Sequence, residues 1–255
     1  MHLSHYASSH LRTPWKALVQ VRRSSSTRQA ALALDRVLAD ADVLVLEPCD
    51  TGFDLYFADQ ARARTLVTKL LASFPCRTTT SRTVGSSAVQ HTHLVEVCPL
   101  QRYDLVIASK ALALKLNLPR VVVVARVSHQ LHLVDPTTGD EGIVTANMYF
   151  RDPPICVSMA RDAYIVLDAE PIDVDYTGQQ WGPYNGAVVE LEVASANDLG
   201  VNDTRHHVVS HLGKHVNVGD KVYGYDLRTR IFGLKYRGLD KAVVPDIVLV
   251  GTAFC

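Results

Sequence analysis

The sequence has few cysteines, no long apolar run and no excess of charge of either sign. Its five cysteines are scattered and form no C-x-x-C pair: Cys49, Cys76, Cys98, Cys156 and Cys255. This spacing argues against a disulfide framework and against a zinc site made of cysteines. No apolar run reaches the length of about 18 residues that spans a bilayer, and the opening MHLSHYASSHLRTPW lacks the apolar core of a secretory signal. We expect a folded protein that works inside the cell.

Charge and motifs also limit the functions to consider. Lys plus Arg equals Asp plus Glu at 26 each, so attraction to nucleic acid has to come from local patches. The sequence has no G-x-S-x-G elbow, no phosphate-binding G-x-x-x-x-G-K-[ST] loop and no G-x-G-x-x-G. Asp168, Glu170, Asp173 and Asp175 cluster around a proline, which is typical of a polar loop. We predict a binding protein and assign no catalysis.

The first part of the chain, residues 14–97, alternates between strand and helix patterns. WKALVQV predicts a strand, the apolar residues between positions 30 and 41 predict an amphipathic helix begun by Ser26 or Thr27, and VLVLEP and FDLYFAD predict two strands. A second helix is capped by Asp59, carries an apolar stripe from Leu66 to Phe74 that includes Leu71, and is stopped by Pro75. Threonine-rich strand sequence follows. The order β-α-β-β-α-β predicts a ferredoxin-like domain.

Short strands dominate the rest of the chain. From about Pro99 the helices are expected to stop, apart from one or two helical turns in KALALKLNL. Residues 98–152, with a turn at Asp135–Asp140, predict an SH3-like barrel. DPPICVSMAR resembles a linker, and the five strand patterns in residues 162–255 predict an OB-like barrel. The predicted fold class is therefore α+β, with two small β-barrels after the ferredoxin-like domain.

The stretch HHVVSHLGKH contains four histidines. His207, His211 and His215 are spaced by four, as zinc ligands on a helix are. Two valines and Gly213 disfavour a helix here, and on a strand these side chains would not converge. We predict a strand and a turn rather than a metal site.

Several basic residues are candidates for contact with RNA. Lys214 and His215 follow Gly213, which would let a phosphate backbone approach closely; the alternative is an ordinary exposed turn. Arg22, Arg23 and Arg28 flank SSST near a helix start, where backbone N–H groups favour anions; alternatively they are a solvated cap or a kinase substrate. The candidate set is completed by Arg228 and Lys235.

Five segments of the sequence resemble those of a known protein family: PWKALVQVRR, DTGFDLYFADQARARTLVTKLLASFPCRT, RVSHQLHLVDPTTG, VVSHLGKHVNVGDKVYGYDL and VPDIVLV. In this order and spacing they resemble the family of the eukaryotic nuclear export adaptor for the large (60S) ribosomal subunit, nonsense-mediated decay protein three. The similarity runs from about Trp15 to Val250.

The resemblance implies an assembly factor on the intersubunit face of the large subunit precursor, near the exit site and the L1 stalk. It implies nucleus–cytoplasm shuttling, with an exportin, a release GTPase and other late assembly factors as partners and no membrane. The Leu212–Lys214 loop would meet ribosomal RNA (rRNA) or the stalk. The family's C-x-x-C zinc ribbons and charged tail have no counterpart here, so we expect no cofactor in this chain, which is either partial or divergent. The alternative function is a free-standing RNA-binding or translation-factor-like module.

Overall fold

The computed structural model describes residues 15–23, 36–84, 89–157, 160–172, 188–198, 200, 204–228, 239 and 244–252. Within these residues the chain is mostly β-strand with a few short helices, which confirms the predicted α+β class. The described strands form three sheets of five strands each. None of the described helices is long and apolar enough to cross a membrane.

The first sheet comes from the N-terminal hundred residues. Its strands are β1 (Ala17–Arg23), β2 (Val45–Cys49), β3 (Gly52–Phe57), β4 (Cys76–Val84) and β5 (Val89–Val97). They lie in the order β2-β3-β1-β5-β4, with β1 antiparallel to β3 and parallel to β5. Apolar residues alternate in β1, β3 and β5, so one face of the sheet is buried and the other is partly open.

Helix α1 (Gln60–Ser73) covers the buried face of this sheet. As predicted, the Asp59 carboxylate caps it by accepting a hydrogen bond from the Arg62 amide at 2.9 Å, and the helix ends just before Pro75. Leu71, predicted for the apolar stripe, is instead 41% exposed. One hydrophobic core joins the helix to the sheet: Ala63, Leu66 and Leu70 with Val19, Val21, Leu55, Phe57 and Val95.

The predicted element order is present in this region, followed by one more strand. Residues 36–39 are helical, whereas the predicted helix start at Ser26 or Thr27 lies outside the described residues. β5 inserts between β1 and β4, which makes a mixed five-stranded sheet. The ferredoxin-like assignment stays a prediction.

The middle sheet consists of short strands. They are β6 (Leu105–Ile107), β7 (Val121–Val127), β8 (Gln130–Val134), β9 (Glu141–Thr145) and β10 (Ile155–Cys156), in the order β10-β6-β7-β8-β9. The turn between β8 and β9 is closed as predicted, because the Asp135 amide donates to the Asp140 carbonyl at 2.9 Å. Gly139 in this turn has a φ of 77°, which glycine adopts without steric cost.

Two expectations for this region are wrong. Helices after Pro99 are not confined to KALALKLNL: α2 (Lys110–Leu116) forms in that segment as expected, but α3 (Ala146–Arg151) forms as well. The region around Asp152–Arg161 is not only a linker, because β10 pairs with β6. A strand of two residues has no readable period, and α3 follows β9 without a break.

The third sheet has the five strands that the sequence predicts. They are β11 (Asp162–Ile172), β12 (Val188–Ser195), β13 (Arg205–Ser210), β14 (Lys221–Asp226) and β15 (Ile247–Gly251). Their order is β13-β12-β11-β14-β15, with antiparallel pairs throughout. The core of this sheet is formed by inward residues of all five strands, among them Val166, Leu191, Val208, Val222 and Leu249.

The chain divides into two compact units. One takes residues up to 101 with 127–131 and 144–151, and the other takes 102–126, 132–143 and residues from 152 onward. In the second unit a shared core joins the middle and third sheets: Tyr103, Leu105, Ile107, Val121, Val123 and Val134 with Tyr225, Leu227, Val248 and Val250. The boundary predicted between residues 98–152 and 162–255 stays a prediction.

Candidate nucleic-acid interface

The two arginines at the end of β1 are engaged inside the first unit. Arg22 forms an ion pair with Asp54 at 2.6 Å and donates to the Phe53 carbonyl at 3.0 Å. Arg23 donates to the Pro99 carbonyl at 3.1 Å. An RNA phosphate at Arg22 would have to compete with a carboxylate already in place. Arg28 lies outside the described residues.

The connection between β13 and β14 is anchored in the core of the third sheet. Leu212 and Val216 are 4% and 5% exposed, and the Gly213–His215 segment between them forms a 3-10 turn. The Leu212 side chain packs inward, and the contact expected of the Leu212–Lys214 loop with rRNA or the stalk stays a prediction. His215 is exposed at the turn, and Lys214 occupies the middle of it.

The histidines of this stretch point to different environments. His207 is exposed on β13, His211 is 1% exposed and His215 is exposed on the turn. Burial lowers the pKa of His211 to about 4. Across the part of the chain that the structure describes, no group of three or more His, Cys, Asp or Glu side chains is arranged to hold a metal ion.

Arg228 is bound to its own strand end. It makes a bidentate pair with Asp226 at 2.5 and 3.0 Å and donates to Nδ1 of His206 at 3.2 Å. The pKa of Asp226 is lowered chiefly by this hydrogen bond to Arg228, whereas the pKa of His206 is lowered first by burial and then by the charge of Arg228. Lys235 lies outside the described residues.

His206 also lines a cavity of about 500 Å³. The other lining residues come from the β8–β9 turn, from β13 and from the start of β15: Thr137, Arg205, His207, Val208, Val209, Pro245, Asp246 and Ile247. β13 and β15 are the two edges of the third sheet. The cavity therefore lies where the barrel is not closed by backbone hydrogen bonds.

The outer face of β11 and β12 is acidic. Asp168 lies directly opposite Glu192, and Glu170 lies opposite Glu190. Both belong to β11, in the part of the acidic cluster that precedes the strand end. The ladder sets these like charges side by side, an arrangement that destabilises a sheet. Arg205 partly offsets it through an ion pair with Glu192 at 3.1 Å. This face is unsuited to a phosphate backbone.

The sequence predicted β4 only as a threonine-rich strand and did not identify it as a candidate binding surface. β4 is an edge strand of the first sheet, and all residues from Arg77 to Val84 are exposed. Arg77 is held by Glu96 through two hydrogen bonds of 2.8 Å. The Thr80 hydroxyl lies 3.0 Å from Nδ1 of His93. The signal that could have found this surface is the absence of any Asp or Glu from residues 60–95.

Two family models match the chain. One, described as the NMD3 OB-fold domain, matches residues 162–252, and the other, described as NMD3, second domain, matches residues 14–96. The chain belongs to the NMD3 family. The resemblance found in the sequence is thereby confirmed, and the NMD3 OB-fold match takes in β11 to β15 of the third sheet.

Curated NMD3 proteins are similar to this chain over nearly all of its length. The 60S ribosomal export protein NMD3 of Saccharomyces cerevisiae is 29% identical over 257 residues, which cover 96% of this chain and 49% of that protein. The protein of the same name from Dictyostelium discoideum is 28% identical over 250 residues, covering 92% and 46%. That of Xenopus laevis is 27% identical over 256 residues, covering 94% and 51%. The chain spans about half the length of the curated relatives it matches.

Proposed function

We propose that this chain is part of an export adaptor for the large ribosomal subunit and binds that subunit through its rRNA. The observation that carries the proposal is the pair of NMD3 domain matches in sequence order. The relatives named 60S ribosomal export protein NMD3 support it, because they align with 92% to 96% of the chain. The role is one of binding, without catalysis or a cofactor held by these residues.

The finer features of this role follow the resemblance. The chain binds the intersubunit face of the precursor, in the exit-site and L1 stalk region. The longer protein shuttles between nucleus and cytoplasm with an exportin, and a GTPase and other late assembly factors act on its release. Within the chain, the exposed His215 and the neighbouring Lys214 are the better placed of the candidate rRNA contacts, since Arg22 and Arg228 already hold carboxylates.

The assignment of the sheets belongs to the same proposal. The first sheet is a ferredoxin-like domain extended by β5, over residues 14–97. The middle sheet is an SH3-like barrel over residues 98–152, supported by five short strands with a tight β8–β9 turn. The OB-like barrel takes residues 162–255.

The proposal is tested by capture of ribosomal particles on the purified chain. Large-subunit precursors from a cell extract should bind at low salt and dissociate at high salt, because contacts dominated by phosphate lose affinity steeply as salt rises. The rRNA recovered at each salt concentration is measured by hybridisation. Recovery of no large-subunit rRNA at any salt concentration overturns the proposal.

The alternative, a free-standing RNA-binding module, makes a different prediction in the same assay. It should bind isolated RNA as tightly as it binds the folded subunit. An assembly factor should prefer the subunit, because RNA surfaces are recognised largely by shape. Competition between naked rRNA and intact subunits distinguishes the two functions.

A further inference from the structure

Residues 60–95 carry a local excess of positive charge. This stretch contains no Asp or Glu, although the whole chain has equal numbers of acidic and basic residues. Its five Lys and Arg residues are Arg62, Arg64, Lys69, Arg77 and Arg82. It also carries eleven Ser and Thr hydroxyls. Such a stretch is rich in hydrogen-bond donors and has no carboxylate to repel a polyanion.

The register of β4 on β5 shows which of these residues share a face. Arg82 pairs with His91, Thr80 with His93, and Thr78 with Val95. His93 and Val95 are buried, at 6% and 0% exposure. The paired residues on β4 therefore lie on the side of the sheet that α1 covers.

On β4 itself this side is open. Thr78, Thr80 and Arg82 are all exposed, because α1 packs chiefly over β1, β3 and β5. The contact of β4 with α3 includes Arg77, which lies over the Phe150 ring. Arg64 on the helix is also exposed. Its charge, after burial and the charge of His91, lowers the pKa of His93. We call the surface formed by Arg64, Thr78, Thr80, Arg82 and His91 the β4 shelf.

The arginines of this region fall into two classes. Arg62 pairs with Asp42 and Asp59 at 2.6 and 3.1 Å, and Arg77 pairs with Glu96. Arg64 and Arg82 form no ion pair with any residue that the structure describes. Two exposed guanidinium groups are thus available for an external anion, next to two others that are occupied.

We propose that the β4 shelf binds the phosphate backbone of RNA on the large ribosomal subunit. Arginine guanidinium groups and threonine hydroxyls are the side-chain donors that contact phosphate and sugar oxygens, and guanidinium fits phosphate with two parallel hydrogen bonds. The proposal rests on the proposed function for its source of RNA. It adds a contact surface in the first unit to the candidates on the third sheet.

An extended peptide fits the shelf less well. The free edge of β4 has backbone groups to offer, but recognition of an added strand needs pockets for alternate side chains. The exposed side chains of the strand are hydroxyls and arginines up to Val84, a surface of donors without apolar pockets. Charge and donor chemistry together favour RNA.

The test compares two double variants of the full chain. R64Q/R82Q removes the two available guanidinium groups, while R62Q/R77Q removes two that are also exposed but already paired with carboxylates, from the same helix and strand. Affinity for salt-washed large ribosomal subunits is measured over a range of salt concentrations. R64Q/R82Q should weaken binding about tenfold or more and reduce the slope of log affinity against log salt by about 2, whereas R62Q/R77Q should bind as the wild type does.

The outcomes separate this proposal from the proposed function. Unchanged binding by R64Q/R82Q, with subunit binding by the wild type intact, overturns the shelf alone. Equal losses in both double variants also overturn it, because charge rather than position then decides. A wild-type chain that binds no subunits at any salt concentration overturns both proposals.

A photo-crosslinking residue in place of Thr78 identifies the partner. We expect an adduct with rRNA on the subunit that ribonuclease shortens. An adduct with a ribosomal protein, resistant to ribonuclease, contradicts the proposal. Circular dichroism of each variant confirms that the fold is retained, since every altered side chain is exposed.

Discussion

His211 is a titratable side chain that the fold keeps almost entirely from water. It follows Ser210 at the end of β13, its amide donates to the Pro136 carbonyl at 3.0 Å, and Asp135 is the carboxylate that acts on it. Burial disfavours the imidazolium, so the pKa falls to about 4 despite Asp135. The unfolded chain has the ordinary value near 6.5.

This difference predicts a loss of stability in mild acid. As the pH falls from about 6.5 to about 4, the unfolded state takes up a proton on His211 before the folded state does, so stability is complete above this window and is lost through it. The free energy of unfolding should fall by about 2 kcal/mol from this group between pH 7.5 and pH 5. Urea unfolding at the two pH values measures it.

The matched substitutions are His211→Gln and His207→Gln. The first should remove this part of the pH dependence, and the second should keep it, because His207 is exposed on the same strand. If wild type and His211→Gln lose the same free energy between the two pH values, His211 is not the group responsible.

The availability of single charged residues could not be predicted from the sequence. The sequence neighbours of Arg22 make it a reasonable phosphate ligand. However, the antiparallel pairing of β1 with β3 places Asp54 beside it, and the two form an ion pair. Arg228, in contrast, finds Asp226 two residues away. Whether a cation is free therefore depends on the residues that the fold places beside it.

The hairpin between β2 and β3 depends on a glycine. Gly52 has a φ of 150°, and a Cβ there would lie 2.0 Å from the Val21 carbonyl oxygen of β1. Any other residue at this position would destabilise the fold in two ways: its backbone would be strained, and its Cβ would clash with the neighbouring strand β1.

Gly52→Ala should lower the free energy of unfolding by about 2–4 kcal/mol. Thr51→Ala, at the exposed neighbouring position of the same turn, should change it by no more than about 0.5 kcal/mol. Urea unfolding of the two variants gives the comparison. Similar small effects at both positions would mean that β1 and the turn move apart to make room.

Strands of five or more residues were predictable where apolar residues alternate, as in β1 and β3, or where they form a short continuous run, as in β7 and β15. Shorter elements without either pattern were missed. β10 exists because β6 supplies the ladder for Ile155 and Cys156, and α3 buries only Tyr149. These two elements form because of contacts with residues far away in the sequence, and a local sequence pattern carries no information about such contacts.

At the scale of the molecule, the middle and third sheets share one core. Leu227, 1% exposed, packs in this core with residues of β6 and β7. The Tyr225 hydroxyl donates to the Tyr103 carbonyl at 3.1 Å and accepts from Arg161 at the same distance. We expect these two sheets to unfold together.

Leu227→Ala should lower the free energy of unfolding by about 2–5 kcal/mol. It should also speed the hydrogen exchange of backbone amides in β7 as well as in β15. Leu114→Ala is the matched control, because the same truncation is made at a side chain that is 84% exposed. Faster exchange confined to the third sheet would show that the shared core does not couple them. The sequence pattern predicted the strands of both sheets but not their common core, since pairing across it joins residues more than a hundred positions apart.

The carboxylates that oppose each other across β11 and β12 have a consequence for orientation. Their mutual repulsion could be relieved by almost any neutral substitution, so the barrel holds them at a cost. A polyanionic partner is turned away from that flank before contact is made. A phosphate backbone that approached the third sheet would therefore have to meet it by a side other than the β11–β12 face.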